Sequence, residues 1–277
     1  MDLKTFNKRT GVIGILNVTP DSFSDGGLLT DKKTLLIQVE TMVSQGVDIL
    51  DIGGESTRPS ADSVDLKKEL RRVIPAIKTI RKHFSTPVSV DTTKAEVAEQ
   101  ALAAGANLIN DISGLRFDPD MVQVALKYNV PVIIMHMQGT PRTMQQNPEY
   151  KDVLSDISAM LLKQIKWAES QGIKKDKIII DPGIGFGKSL EHNLTILKNI
   201  PYFKKLEKPV LIGHSRKSFI QKLLGIKNPK DRDEASAIIS ALSAAKGASL
   251  IRTHDVTRTV QAIKLSESLT GCQISGG

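Results

Sequence analysis

The stretch SLIRTHD, residues 249–255, carries two apolar residues straight into an arginine, a threonine, a histidine and an aspartate. The same event recurs along the chain. Short apolar, mostly β-branched runs end in polar or glycine residues at GVIGILN (11–17), VDILDIGGEST (47–57), PVSVDTTK (87–94), NLIND (107–111), PVIIMHMQG (131–139), KIIIDPGIGFG (177–187) and PVLIGHSRKS (209–218). Continuous apolar runs, rather than alternation, suit strands covered on both faces of a parallel sheet. Eight such runs, spread over roughly the 250 residues typical of the fold, predict an α/β protein built as a (β/α)8 TIM barrel. The competing arrangement is an open doubly wound sheet. That fold usually carries a GxGxxG turn after its first strand, and here the turn is NVTPDSFSDGG. Gly183, Gly185 and Gly187 have the wrong spacing for that turn and follow the sixth run.

The connecting segments have helical periodicity. Leu35, Val39, Met42 and Val43 share one face, with Gly46 as a stop. Leu66, Leu70, Val73, Ile77 and Ile80 form another stripe, which Pro75 is expected to kink or interrupt. Thr93 to Glu96 has the pattern of a capping box, and Asp118-Pro119 that of an N-cap with proline at the first helical position. Residues 150–171 and 234–246 predict two further helices. Asp255 is placed to cap the last one, up to Gly271.

Composition narrows the class. The chain has 277 residues, 40% hydrophobic and 25% charged, enough for a large core, but only 4% aromatic, so that core is mostly aliphatic. No composition break or linker divides it. We read one domain over 1–277, with a core of about 11–270 and loose ends at 1–10 and 272–277. Lysine and arginine exceed aspartate and glutamate by eight, without a basic stripe interleaved with aromatics. This argues against nucleic acid and for small anionic substrates. One cysteine, Cys272, builds neither a disulfide nor a zinc site. With no signal core and no membrane-spanning run, the expectation is a cytoplasmic protein.

A barrel gathers the carboxyl ends of all its strands on one rim, where active sites form. Asn17, Asp51, Asp91, Asn110, His136, Asp181, His214, Arg252 and His254 then converge. Asp91, Asn110 and Asp181 in a narrow mouth need donors from a ligand or a neighbour. A flat heterocycle with adjacent N–H and NH2 groups supplies them, and a carboxylate receives such a pair in bidentate fashion. Lys217 faces acceptor atoms or balances charge; an internal Asp–Lys salt bridge is the plainer reading. Asn17, Arg252 and His254 come from the first and eighth strands, which adjoin on closure. They suit Mg2+ at the asparagine and phosphate at the cations. Arg252 and His254, two apart, share one side of an extended segment. The loops NVTPDSFSDGG and GGESTRPSADS are candidate lids. SRKS (215–218) opens a helix whose N–H groups could meet an anion. There is no P-loop, GxSxG elbow or HExxH motif. His83 and His192 read as structural; His136 and His214 lack an evident partner, and their roles stay open.

The motifs GILNVTPDSFSDGG, DIGGESTRP, SVDTTKAEVA, INDISG, DPGIGFGK, GHSRKSF and RTHDV, in order from about residue 11 to 260, resemble those of the dihydropteroate synthase family. The resemblance implies a (β/α)8 barrel that condenses 6-hydroxymethyl-7,8-dihydropterin diphosphate with p-aminobenzoate. The products are 7,8-dihydropteroate and diphosphate, in folate biosynthesis, with Mg2+. It also implies a homodimer and inhibition by sulfonamides, which mimic p-aminobenzoate. Carried over by motif, Asp91, Asn110, Met135, Asp181 and Lys217 hold the pterin. Asn17, Arg58, Arg252 and His254 hold the diphosphate, with the metal at Asn17. Phe23, Thr57, Pro59, Phe186, Lys217 and Ser218 shape the p-aminobenzoate side, and Asp25 approaches when the loops close. Asp25, Arg58, Asp91, Lys217, Arg252 and His254 form the expected catalytic set. Ser60 stands where many members have glycine, a departure that bears on loop closure. The expected chemistry is dissociative: diphosphate leaves first, and the aryl amine attacks the pterin methylene. A pterin-binding methyltransferase domain and an inactive pterin-binding paralogue are the alternatives. The first needs no diphosphate site, so Arg252, His254 and the two complete loops weigh against it.

Overall fold

The central strand β1, Gly11–Asn17, pairs in parallel with two neighbours: β2, Ile49–Gly53, and β8, Leu250–Thr253. From β2 the parallel ladder continues through β3 (Val88–Asp91), β4 (Leu108–Asp111), β5 (Val132–Met135) and β6 (Ile178–Asp181), and β8 pairs with β7 (Leu211–Ile212). A bridge between Ile180 and Val210, with the Ile180 N–H donating to the Pro209 carbonyl at 3.0 Å, joins β6 to β7 and closes the ring. The (β/α)8 barrel is thus observed in this computed structural model, which describes residues 3–18, 27–56 and 63–271. Helices follow the strands: α1 (Gly27–Ser44), α2 (Leu66–His83), α3 (Ala95–Ala103), α4 (Met121–Tyr128), α5 (Val153–Ser170), α6 (Leu190–Lys198), α7 (Ile200–Phe203), α8 (Ser218–Leu224), α9 (Asp233–Ala245) and α10 (Val256–Thr270). No described helix is long and apolar enough to cross a membrane.

Strand parity sorts the residues. Val12, Leu16, Leu50, Ile52, Val90, Ile109, Ile134, Ile180, Ile212 and Ile251 face outward and pack with the helices in one large cluster. Ile13, Ile49, Leu108, Ile133, Ile179, Leu211 and Leu250 face inward and form an apolar layer inside the ring. One inward step higher, the side chains turn polar, as the functional site below describes. The layer is sealed from beneath by a 3-10 helix, Leu3–Asn7, whose Leu3 and Phe6 join the inner cluster. The amino-terminal segment is therefore not a loose end. Its two apolar side chains cover the barrel floor, and burying them holds the chain there. Phe6→Ala should cost about 3 kcal/mol, read as a lower urea midpoint at unchanged slope.

Four local expectations are corrected. Pro75 does not interrupt α2. It lies on the exposed face, as does Arg71, whose carbonyl lacks its helical donor, so solvent can replace that donor. The capping box at Thr93 does not form. Instead Thr92 turns inward, and the Ala95 N–H donates to Asp118 Oδ2 at 2.8 Å. Asp118 is thereby used on α3, and α4 starts later, after Asp120. The SRKS segment contributes only its last residue to α8, because Arg216 takes a positive φ of 59° and breaks helical geometry ahead of it. Asp255 caps α10 as expected, holding the Arg258 N–H, and Asp152 caps α5 through the Ser155 N–H.

Candidate functional site

Above the apolar layer the inward positions include Ile15, Asp51, Asp91, Asn110, Met135, Asp181, Gly213 and Arg252. Five of them are polar or charged, and each sits two residues beyond an inward position on its own strand. Five of the expected ligand-holding residues, Asp91, Asn110, Met135, Asp181 and Arg252, thus face inward at or near the carboxyl ends of their strands. The Arg252 guanidinium spans the centre. Its Nε donates to Asp51 Oδ2 at 2.6 Å and its Nη2 to Asp91 Oδ2 at 2.7 Å. Asn110 Nδ2 donates to the same Asp51 oxygen at 3.1 Å. Asp181 Oδ1 accepts the Gly183 N–H at 2.7 Å. Arg252 lies on the same strand side as His254, and its guanidinium is held by two carboxylates inside the ring.

Burial sets the electrostatics. It pushes the Asp91 carboxyl up to about 7; Arg252 opposes the rise, while Asp51, Glu69 and Asp111 add to it. Asp181 is raised for the same reason, against the pull of Lys217. Burial brings the Lys217 ammonium down to about 7 despite the nearby Asp181. Lys217 donates to the Ile184 carbonyl and lies 4.4 Å over the Phe186 ring. This gives the cation two of its partners without an aspartate ion pair. Met135 and Phe186 share an apolar wall with Ile112, Met137 and Met144. The mouth therefore joins carboxylates, an amide, a cation of unsettled charge and a flat apolar flank, which suits a flat ring rich in N–H donors.

The glycine segment after β6 is the local scaffold of that flank. Gly183 has a φ of 72°, and a Cβ there would overlap the His136 carbonyl oxygen. Gly183→Ala should strain both strands and cost more than about 2 kcal/mol, with turnover lost in parallel, as thermal unfolding and rate measurements would show. Lys188, almost fully buried, folds back to donate to the Phe186 carbonyl at 2.9 Å and reaches His136 Nδ1 at 3.0 Å. His136 is held neutral, far below the ordinary imidazole range, by burial and by Lys188. His214 points outward: its Nε2 donates to the Ser236 carbonyl at 2.8 Å, and burial lowers it to about 4. Both open histidines are buried and make their hydrogen bonds inside the protein. His83 ends α2, and His192 completes a capping box with Ser189.

His254 lies over β8, its Nδ1 2.9 Å from the Ser215 hydroxyl and its N–H donating to the same oxygen. Asn17 ends the adjoining β1, partly buried. Ser218 is exposed at the start of α8. Phe23, Asp25, Thr57, Arg58, Pro59 and Ser60 lie outside the described residues. Asp51, Lys188 and Ser215 also touch residues of the candidate site. Counting by two from Ile49 turns Asp51 inward; Lys188 carries no such signal, because loop geometry places it. A concavity of about 740 Å3 opens elsewhere, on the opposite face beside Phe6, Lys204 and Glu267, remote from this chemistry.

The chain matches the model of the pterin binding enzyme family over residues 13–254. It is 46% identical to a dihydropteroate synthase of Synechocystis over 95% of this chain and 91% of that protein. It superimposes on the Yersinia pestis dihydropteroate synthase solved with a sulfonamide drug at a TM-score of 0.90 and 42% identity, covering 98% of this chain and 96% of that one. The Xanthomonas albilineans dihydropteroate synthase in complex with 7,8-dihydropteroate matches at a TM-score of 0.85 and 41% identity, with 94% of each chain covered. A barrel with a donor-hungry inward layer at its carboxyl rim, matched in this way, belongs to the pterin binding enzymes. Within that family its relatives are the dihydropteroate synthases.

Proposed function

We propose that the protein condenses 6-hydroxymethyl-7,8-dihydropterin diphosphate with p-aminobenzoate, releasing diphosphate and 7,8-dihydropteroate. The observation that carries the reading is the inward-facing set of Asp91, Asn110 and Asp181, three buried acceptor-bearing groups at the carboxyl rim, with Lys217 over the Phe186 ring and electrostatically coupled to both aspartates. The pterin's adjacent N–H and NH2 groups would occupy the carboxylate acceptors. The aryl amine would lie against Phe186 and Lys217, with Thr57, Pro59, Phe23 and Ser218 as the further expected contacts. Asn17, Arg252 and His254, from the adjoining β1 and β8, would face the diphosphate together with Arg58, with Asp25 approaching from the first loop.

Mg2+ fits this donor set in one way. Among the described residues no group of three histidines, cysteines or carboxylates could hold an ion alone. Mg2+ commonly takes one or two protein oxygens and completes its shell with water and phosphate. The Asn17 amide would be that protein ligand, and the ion would neutralise charge on the leaving diphosphate. The chain's own groups do the rest. Carboxylates at Asp91 and Asp181 favour positive charge developing on the dihydropterin, so departure of diphosphate can precede attack by the amine. No side chain here is needed as a covalent nucleophile. In single turnovers at saturating amine, the rate should be nearly independent of amine nucleophilicity; a steep dependence contradicts the dissociative order.

A cytoplasmic homodimer is part of the proposal. The single cysteine suits a reducing compartment. Ile238 and Leu242 of α9 and Leu265 and Leu269 of α10 are exposed on neighbouring helices that are joined by the Ser266 hydroxyl and the Ala241 carbonyl, a surface suited to a twofold contact. Expression in a bacterium stripped of its own synthase tests the function. Growth without supplied folate end products, abolished by a sulfonamide, supports it. Absence of growth despite soluble protein contradicts it.

A further inference from the structure

Among the described residues, one oxygen at the centre of the site has no hydrogen-bond partner. Asp51 is fully buried; its Oδ2 receives both Arg252 Nε and Asn110 Nδ2, while its Oδ1 receives no hydrogen bond. Strand register places Asp51 beside Ser89, and Gly53 beside Asp91. Asp51 therefore lies one inward step below Asp91, roughly 6.6 Å along the strand, beneath a ligand held at that level. Its reach is to other side chains. With Nδ2 given to Asp51, the Asn110 amide turns its oxygen the other way, as an acceptor; the flipped amide would set that oxygen against the Asp51 carboxylate.

Arg252 shows the same division. A ring offering two parallel N–H groups to Asp91 needs both of its carboxylate oxygens. Arg252 Nη2 occupies one of them in this structure. A carboxylate oxygen takes up to two donors, so a ring arriving at that oxygen crowds Nη2 on the shallower Asp91, while Nε can stay on the deeper, solvent-free Asp51. We propose that Asp51 is the positioning residue of the ring pocket: it presents the Asn110 oxygen to the ligand and anchors Arg252 by Nε, leaving Nη2 as the end that exchanges from Asp91 to the ligand. The inference rests on the ring-binding reading of Asp91 and Asn110.

Asp51→Asn in the full-length protein tests it, with 6-hydroxymethylpterin as the probe. Affinity for the probe should fall at least about tenfold. The KM for p-aminobenzoate should stay within roughly twofold, since Asp51 touches nothing on that side. The acid limb of kcat/KM should move to lower pH, because Asp51 is one of the charges that raise Asp91. The others facing Asp91 remain: Arg252 from β8, Glu69 from α2, Asp111 from β4 and Lys217 before α8. A purely structural role would lower the Tm and leave the limb in place. A folded variant with parental pterin affinity and an unmoved limb overturns the proposal. Should the variant not fold, the Asn110 side-chain amide of the unmodified protein, assigned by its loss in Asn110→Ser, gives a second test. Slow exchange, kept when the probe binds, supports the bond to Asp51; fast exchange overturns it. Failure of the unmodified protein to bind the probe overturns the ring reading itself, which is a distinct result.

Discussion

Arg252→Ala should reduce kcat/KM by about a thousandfold or more and lower stability by about 3–5 kcal/mol. The two losses have separate causes. Arg252 is the cation between Asp51 and Asp91, and truncation leaves two buried carboxylates facing each other with no guanidinium between them. Breaking a buried pair costs more than the pair contributes, because the remaining charge stays desolvated. Without Arg252 to oppose the rise, Asp91 takes up its proton more readily, so the stability deficit should shrink as the pH falls. The catalytic loss comes from the missing donors at the diphosphate and from an Asp91 left protonated, and acid should not restore it. Arg252→Lys should recover little of either. A single ammonium cannot reproduce donors at Nε and Nη2 that reach two carboxylates at once. Urea unfolding at two pH values, beside steady-state rates, separates the effects.

Asp91→Asn should abolish pterin binding, by about a hundredfold or more, yet make the unliganded protein more stable above neutral pH. The sign follows from burial. The Asp91 carboxyl titrates near 7 in the folded chain against an ordinary value of 3.8. A raised folded value gives stability that is complete below the unfolded pKa and lost as pH climbs through the folded one. At pH 8 the ionised aspartate therefore costs the fold on the order of 2–4 kcal/mol relative to its neutral form. Asparagine removes most of that cost, less what Arg252 loses as a partner. The Tm difference should favour the variant at pH 8 and vanish near pH 4. Lys217 works in the opposite sense. Its value is depressed to about 7, so its contribution is present above its unfolded pKa of about 10.5 and lost as pH falls toward 7. An unliganded site holding both groups is strained around neutrality, and a ring that donates to Asp91 relieves that strain.

The barrel was legible because its cause is local. Each strand is a continuous apolar run ending in polar residues, and parity alone separates Ile13 and Ile49, which face inward, from Val12 and Leu50, which face the helices. The same count by two from Leu250 places Arg252 and His254 on the inward side. What parity cannot give is the partner. Arg252 reads as an anion clamp in the linear sequence, and only the closed ring brings Asp51, 201 residues away, within 2.6 Å of its Nε. Helix caps failed for a similar reason. Asp118 has the local pattern of a cap for the helix that follows it, but the neighbouring α3 lies close enough to take the carboxylate first. Pro75 was misread because the cost of a proline depends on whether the orphaned carbonyl can reach water, a matter of helix face. Leu3 and Phe6 were passed over because their burial depends on the barrel floor they cover.

The most direct test of the account is a single incubation of the purified protein with 6-hydroxymethyl-7,8-dihydropterin diphosphate, p-aminobenzoate and Mg2+, following 7,8-dihydropteroate and diphosphate together. The account predicts equal amounts of both products, loss of both on chelation, and competition by a sulfonamide against p-aminobenzoate. Tight pterin binding with neither product formed, under conditions where a control synthase turns over, would contradict it.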